Sequence, residues 1–138
     1  MKKYNKIVLT LLMLALFQNG YSSTVIIANK ASGLTSIDKN VKNAFLGKAK
    51  NWPNGVSIEA CLEEADAAEM TTFYSSVLKK SPAAFRAYWN RLLFSGKAPP
   101  PKEFSDRREL IAFVDRTKGA VCFTTSAEGI TDKITILK

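Results

Sequence analysis

The hydrophobic positions of the chain fall into two kinds of pattern, short continuous apolar runs and longer stretches with helical spacing. The runs indicate strands covered on both faces, because such strands show no regular polar alternation. They are TVIIAN at 24–29, VSIEACL at 56–62, GAVCFT at 119–124 and KITIL at 133–137. Helical stretches separate them, so the sequence predicts a three-layer α/β sandwich whose mostly parallel or mixed sheet has about four strands.

The helical stretches carry start signals that place their first residues. A side-chain oxygen that accepts from the first free backbone N–H groups favours a helix start, and proline is tolerated in the first turn. Ile37 and Val41 are expected to share the buried face of the first helix. The expected caps, in chain order, are Ser36, Asp66, Ser81 ahead of Pro82, and Ser105 or Asp106.

The first 22 residues have the pattern of a secretory signal peptide. Lys2, Lys3 and Lys6 precede an apolar stretch at 7–17, and small residues at Gly20 and Ser22 suit cleavage after Ser22. The alternative is a membrane anchor, but the apolar stretch has about half of the roughly 20 residues that span a bilayer. We therefore expect a signal peptide at 1–22, one domain at 23–138, a periplasmic or secreted location and no stable membrane insertion.

Charge and composition exclude several classes of function. Three of the 20 basic residues precede residue 23 and all 12 acidic residues follow it, so cleavage would lower the net charge from +8 to +5. That excess suits an anionic ligand or membrane surface, or simply solubility. The basic residues are scattered, which argues against nucleic-acid binding. Without any histidine, no Ser–His or Cys–His pair can form, so we expect no enzyme and no cofactor.

The two cysteines, Cys61 and Cys122, are too far apart in sequence for a redox CxxC motif, and with no histidine they cannot complete a zinc site. Both fall in predicted strands. A disulfide is therefore possible in an oxidising compartment if those strands are neighbours. Two buried free thiols are the alternative.

Candidate ligand residues follow from the rule that open α/β sheets bind ligands beyond the carboxyl ends of their strands. Hydroxyl, amide and ammonium groups there suit a small oxyanion. Ordinary turn and cap chemistry accounts for the same residue types equally well. The candidates are Asn29, Lys30, Ser32, Thr71, Thr72, Thr124, Thr125 and Ser126.

The chain contains a series of short motifs, which in order are FLGK at 45–48, NWPNG at 51–55, KSP at 80–82, YW at 88–89 and FSG at 94–96. These motifs and their order resemble those of the substrate-binding proteins of phosphate ABC transporters. The similarity runs from about Val25 to Leu137. It implies a single lobe of a type II periplasmic-binding-protein-like fold, phosphate or a related small oxyanion as ligand, and a link to ABC-type uptake.

The chain departs from that family where the family binds its anion. Phosphate-binding members resemble one another in having an Arg and a Ser-Gly-Thr-type turn after the second strand. Here residues 62–72 have neither, and they carry Glu63, Glu64, Asp66 and Glu69 instead. Carboxylates suit a helix start but repel phosphate. Two hypotheses remain: a module that binds a small oxyanion, and an accessory module that has lost anion binding and contacts a periplasmic or membrane protein.

Overall fold

The computed structural model of the protein describes residues 24–138, so the signal peptide expected at 1–22 lies outside the described residues. Within them no helix has the length and apolar character needed to cross a bilayer. The elements in chain order are β1 Val25–Asn29, a 3-10 turn Lys30–Ser32, α1 Lys39–Phe45, β2 Glu59–Glu63, α2 Ala67–Phe73 running into a π-helical turn Tyr74–Leu78, α3 Pro82–Phe94, β3 Lys102–Phe104, α4 Arg107–Arg116, β4 Ala120–Thr124 and β5 Ile134–Leu137.

The strands form one mixed sheet in the order β3-β2-β4-β1-β5. β2 runs parallel to β3 and β4, whereas β1 runs antiparallel to both β4 and β5. The predicted α/β fold with a parallel or mixed sheet is confirmed. The sheet has five strands, because the unanticipated β3 forms directly after the proline run at 99–101.

Helices cover both faces of the sheet, which confirms the three-layer sandwich. On one face α1, α2 and α3 pack against the sheet around a group of aromatic rings in edge-to-face and stacked contacts. Phe73 lies with its ring centroid 5.2 Å from that of Phe45 and 4.5 Å from that of Phe123. On the other face α4 buries Leu110 and Val114 in a second cluster of apolar residues.

The local start signals place most helices correctly. Asp66 and Glu69 form a reciprocal capping box, in which the Glu69 N–H donates to Asp66 Oδ1 at 2.9 Å. Ser81 caps α3 ahead of Pro82, and Asp106 caps α4. The first helix begins later than predicted. Asp38 caps it instead of Ser36, because the Asp38 carboxylate accepts from both the Asn40 and Val41 N–H groups.

Cys61 and Cys122 lie opposite each other on the neighbouring parallel strands β2 and β4. Their Cα atoms are 4.5 Å apart and the structure pairs the two residues as a disulfide. The distance falls at the short end of the range found for disulfides. The sequence analysis allows a disulfide only if the strands that carry the two cysteines are neighbours, and the structure shows that they are.

Candidate functional site

The carboxyl ends of β2, β3 and β4 lie on the same side of the sheet, because the three strands are parallel. We call this side, which is formed by strand ends and not by an outer strand, the strand-end edge. Glu63 ends β2 and Thr124 ends β4. α4 begins three residues after β3, and its first residue is Arg107. The backbone N–H of Glu64 donates to the Phe104 carbonyl at 2.9 Å, which holds the ends of β2 and β3 together. Four side chains from three parts of the chain meet at this edge.

One oxygen of the Glu63 carboxylate accepts hydrogen bonds from the end of β4. The Thr125 backbone N–H donates to Glu63 Oε2 at 2.8 Å. The Thr124 and Thr125 hydroxyls lie 2.5 Å and 3.2 Å from the same oxygen. The hydroxyl of Thr124 also lies 3.1 Å from the carbonyl of Ser126. These groups form a set of donors that converge on a single anionic oxygen.

Arg107 holds the other oxygen of the same carboxylate. Its Nε and one terminal nitrogen lie 3.1 Å and 3.0 Å from Glu63 Oε1. The guanidinium also donates to the Thr125 hydroxyl. We call the Arg107 guanidinium, the Thr124 hydroxyl and the Thr125 N–H and hydroxyl the donor cradle. Two donor types, backbone N–H and guanidinium, are those that proteins use to hold carboxylates and phosphates.

The environment keeps Glu63 ionised. Burial raises the pKa of the Glu63 carboxyl, but hydrogen bonds from Thr124, the Thr125 N–H and Arg107 outweigh it, and the pKa lies below its ordinary value. The residue is 7 % exposed, whereas the Arg107 side chain keeps 30 % of its surface accessible. The donor cradle is therefore filled by an anion that belongs to the chain itself.

Two further carboxylates lie in a groove that Glu63 also lines. A shallow groove of about 310 Å³ at the end of β2 has Leu62, Ala65 and Met70 among its walls, together with Glu64 and Glu103. Both of these glutamates are exposed. The negative charge on the groove opposes an approaching phosphate and attracts a cationic group.

The structure brings three of the candidate ligand residues to this edge. Thr124 and Thr125 belong to the donor cradle, and Ser126 follows them. Thr71 and Thr72 lie exposed on α2. The Thr72 hydroxyl donates to the Ala68 carbonyl at 3.1 Å, which is a bond within the helix.

The remaining candidates, Asn29, Lys30 and Ser32, lie at the opposite edge. β1 is antiparallel to β4, and Val25 rather than Asn29 pairs with Thr124. Asn29 lies four residues further along β1 than Val25, which places it roughly 13 Å from the Val25–Thr124 pair. The sequence could not reveal this separation, because it does not record the direction of β1.

Asn29 has a structural role at that opposite edge. Its amide nitrogen donates to the carbonyls of Val114 and Asp115 at 2.9 Å and 3.0 Å, in the last turn of α4. Its oxygen accepts from the Ala31 N–H at 2.9 Å. The Ser32 hydroxyl accepts from the Leu34 N–H, and Lys30 is exposed.

The sequence analysis groups Glu63 with the carboxylates at a helix start, but Glu63 is the last residue of β2. The sequence analysis does not include Arg107 among the candidates. Arg107 directly follows the helix cap Asp106, but only the pairing of β3 with β2 brings the start of α4 beside Glu63, and the sequence did not predict β3.

Comparison with known proteins supports the fold and leaves the ligand open. The sequence matches no protein-family profile and no curated protein. The chain is similar in structure to the crystal structure of an ABC-type phosphate transport receptor from Vibrio cholerae, with a TM-score of 0.55 and 15% sequence identity. The match covers 83% of this chain and 45% of the receptor chain. The protein thus spans less than half the length of that receptor and has the fold of a single periplasmic-binding-protein-like lobe.

Proposed function

We propose that the protein is an exported solute-binding-like module that no longer holds a small oxyanion and acts by contacting another protein. The observation that carries the proposal is the Glu63 carboxylate, which already receives every donor of the cradle. A phosphate would have to displace a carboxylate that is 7 % exposed and paired with Arg107. Displacing it would leave a buried charge without its partner, which is costly.

The exposure of the strand-end site supports the same proposal. Tight binding of a small ligand usually requires that most of its surface is buried. Glu64 and Glu103 are exposed at this edge, and the Arg107 side chain keeps 30 % of its surface accessible. Within the described residues the site therefore encloses a small ligand poorly.

The partner is expected to present basic side chains. Glu64 and Glu103 lie exposed beside the apolar wall of the groove at the end of β2. A lysine or arginine side chain fits such a groove, because its apolar stem can lie on the partly exposed Met70 and Ala65 while its charge meets the glutamates.

A ligand experiment tests the loss of anion binding. Phosphate added to the purified protein should leave its thermal unfolding unchanged. If the wild type bound phosphate, a concentration 100 times the dissociation constant would stabilise it by about 2.7 kcal/mol, and the proposal would be wrong. In Glu63→Ala the cradle is empty, so acetate or phosphate should stabilise that variant. Failure of both anions there would show that Glu63 does not occupy an anion site.

A second experiment tests the partner. The protein is immobilised and exposed to an extracytoplasmic extract from its source cells. The double variant Glu64→Lys Glu103→Lys should lose a partner that the wild type retains. Glu59→Lys Asp132→Lys is the control with the same change in charge. Both residues are exposed; Glu59 begins β2, and Asp132 precedes β5, whose first residue pairs with Asn29 at the opposite edge. Equal retention by all three proteins, or no retained protein, would contradict the proposal.

A further inference from the structure

The end of α3 carries the two most exposed large apolar side chains of the described residues. Phe94, the last residue of the helix, is 95 % exposed, and Leu93 before it is 51 % exposed. Gly96 follows with a φ of +67°, and a Cβ atom built there would meet no atom within 4 Å, so the chain turns in open solvent. Single exposed apolar residues are common on protein surfaces. The charge around Phe94 therefore decides what this end of the helix can contact.

The segment that contains α3 holds the whole positive excess of the described chain. Residues 70–102 include six basic residues and no acidic one, whereas the rest of residues 24–138 has 11 basic and 12 acidic residues. A surface of one sign attracts partners of the opposite sign. The six basic residues are Lys79, Lys80, Arg86, Arg91, Lys97 and Lys102.

Two of these basic residues, Arg86 and Arg91, flank Phe94 on the outer face of α3. With 3.6 residues per turn, Arg91 lies about 60° from Phe94 around the helix axis on one side, and Arg86 about 80° on the other. Both arginines are exposed, and in the described part of the chain no carboxylate forms an ion pair with either. Phe85 and Trp89, on the inner face, pack into the core. The exposed ring thus projects between two unpaired guanidinium groups.

This arrangement suits an anionic lipid bilayer better than an acidic protein. A stable protein–protein interface has an apolar centre of several side chains, and here only Leu93 and Phe94 are available. A bilayer accepts a single ring, because it is apolar at every point below its headgroups. Its anionic headgroups can also gather around cations on both sides of the ring, and no fixed shape has to match.

We propose that the outer face of α3 rests on the surface of an anionic phospholipid bilayer. Phe94 and Leu93 enter the boundary between headgroups and acyl chains. Arg86 and Arg91 pair with lipid phosphates, and their apolar stems lie along the inserted ring. The contact is peripheral and reversible, and the helix lies on the bilayer without crossing it.

The position of this surface keeps it separate from the proposed function. Lys97, just beyond α3, lines the same cavity as Glu59, the first residue of β2. Glu63 is the last residue of β2, so this end of α3 lies on the opposite side of the sheet from the strand-end edge. A bilayer at α3 therefore leaves the strand-end edge open to a protein partner.

A tryptophan in place of Phe94 tests the contact locally. Phe94→Trp adds an exposed reporter, whereas Trp52 and Trp89 are 2 % and 5 % exposed. Vesicles of brominated phosphatidylcholine with roughly 30% phosphatidylglycerol should quench the added fluorescence saturably, and vesicles without phosphatidylglycerol should require at least about tenfold more lipid. Ile37→Trp, at an exposed isoleucine ahead of α1, is the matched control, and its added fluorescence should not be quenched. Both variants keep residues 1–23, so vesicle binding through that segment alone would not separate them.

Charge-removal variants test the contact with the headgroups. In the Phe94→Trp protein, Arg86→Gln Arg91→Gln should raise the lipid concentration at half-quenching by about fivefold for each charge removed. Arg116→Gln Lys118→Gln is the control with the same change in charge. Arg116 ends α4, on the other face of the sheet, and Lys118 follows it, and both are exposed. This control should leave the quenching unchanged.

Four outcomes would overturn the proposal. They are equal quenching of Phe94→Trp and Ile37→Trp, equal quenching by neutral and anionic vesicles, equal weakening by the two pairs of charge substitutions, and no quenching at all. In the last case, a change in the emission of Phe94→Trp on addition of polyglutamate would show that the surface serves an acidic protein instead.

Discussion

The backbone N–H of Thr125 donates to the Glu63 carboxylate at 2.8 Å, so the first residue beyond β4 holds the last residue of β2. Glu63 is thereby bonded to two chain segments, since Arg107 begins α4. A bound oxyanion would join the same segments through the same donors. In this protein the link is made within the chain, and it stabilises the fold.

Replacing Glu63 by Gln should destabilise the protein by about 2–3 kcal/mol. The amide removes the charge opposite Arg107 and places an N–H group among donors that need an acceptor. Urea unfolding followed by circular dichroism measures the loss. Glu64→Gln is the matched control, because the neighbouring Glu64 is exposed and should change stability by less than about 0.5 kcal/mol. Equal effects of both substitutions would show that the cradle contributes nothing.

The stabilisation by Glu63 should depend on pH with a defined sign. Its pKa in the folded protein lies below that of the unfolded chain, which is about 4.3. The unfolded state therefore binds a proton first as the pH falls, so the stabilisation is complete above pH 4.3 and disappears below it. Urea unfolding between about pH 6 and pH 3 should show a steeper decline for wild type than for Glu63→Gln. Parallel curves would contradict the depressed pKa.

Reduction of the Cys61–Cys122 disulfide should destabilise the protein by about 4 kcal/mol. The bond closes a loop with a sequence separation of 61 residues, and opening it gives the unfolded chain more conformational entropy. Thermal unfolding with and without reductant measures the difference, and mass spectrometry confirms the bond. The double variant Cys61→Ala Cys122→Ala should not respond to reductant. A wild type that gained two alkylation sites without prior reduction would contain free thiols instead.

Asn29→Ala should cost about 1–3 kcal/mol even though Asn29 was a candidate ligand residue. The change leaves the carbonyls of Val114 and Asp115 without the donor that the Asn29 amide supplies. Lys30→Ala, at the adjacent exposed residue, should have an effect within about 0.5 kcal/mol. Phosphate that stabilised the wild type but not Asn29→Ala would instead indicate a ligand role.

The features that sequence reasoning predicted correctly are those fixed by neighbouring residues. Asp66 with Glu69, and Ser81 with Pro82, specify helix starts over three or four positions, and the structure contains both. Continuous apolar runs correctly indicated β1, β2, β4 and β5. β3 was missed because it has three residues, two of them charged, and it exists through its pairing with β2.

The candidate site depends on partners distant in sequence, so the sequence predicted only part of it. The role of Glu63 follows from Thr124, 61 residues away, and from Arg107, 44 residues away. No local pattern records either contact. The grouping of Asn29 with Thr124 was wrong for a related reason, because both residues follow apolar runs yet their strands point in opposite directions.

The pairing of β1 also determines when the chain can fold. β1 is the first described strand, yet it pairs only with β4 and β5, the last two strands. The interior of the sheet therefore stays open until synthesis reaches residues 120–137, and closing such long loops is slow. A nascent chain that stops before these residues therefore cannot complete the sheet, so a truncation that removes β4 and β5 should leave β1 without any strand to pair with.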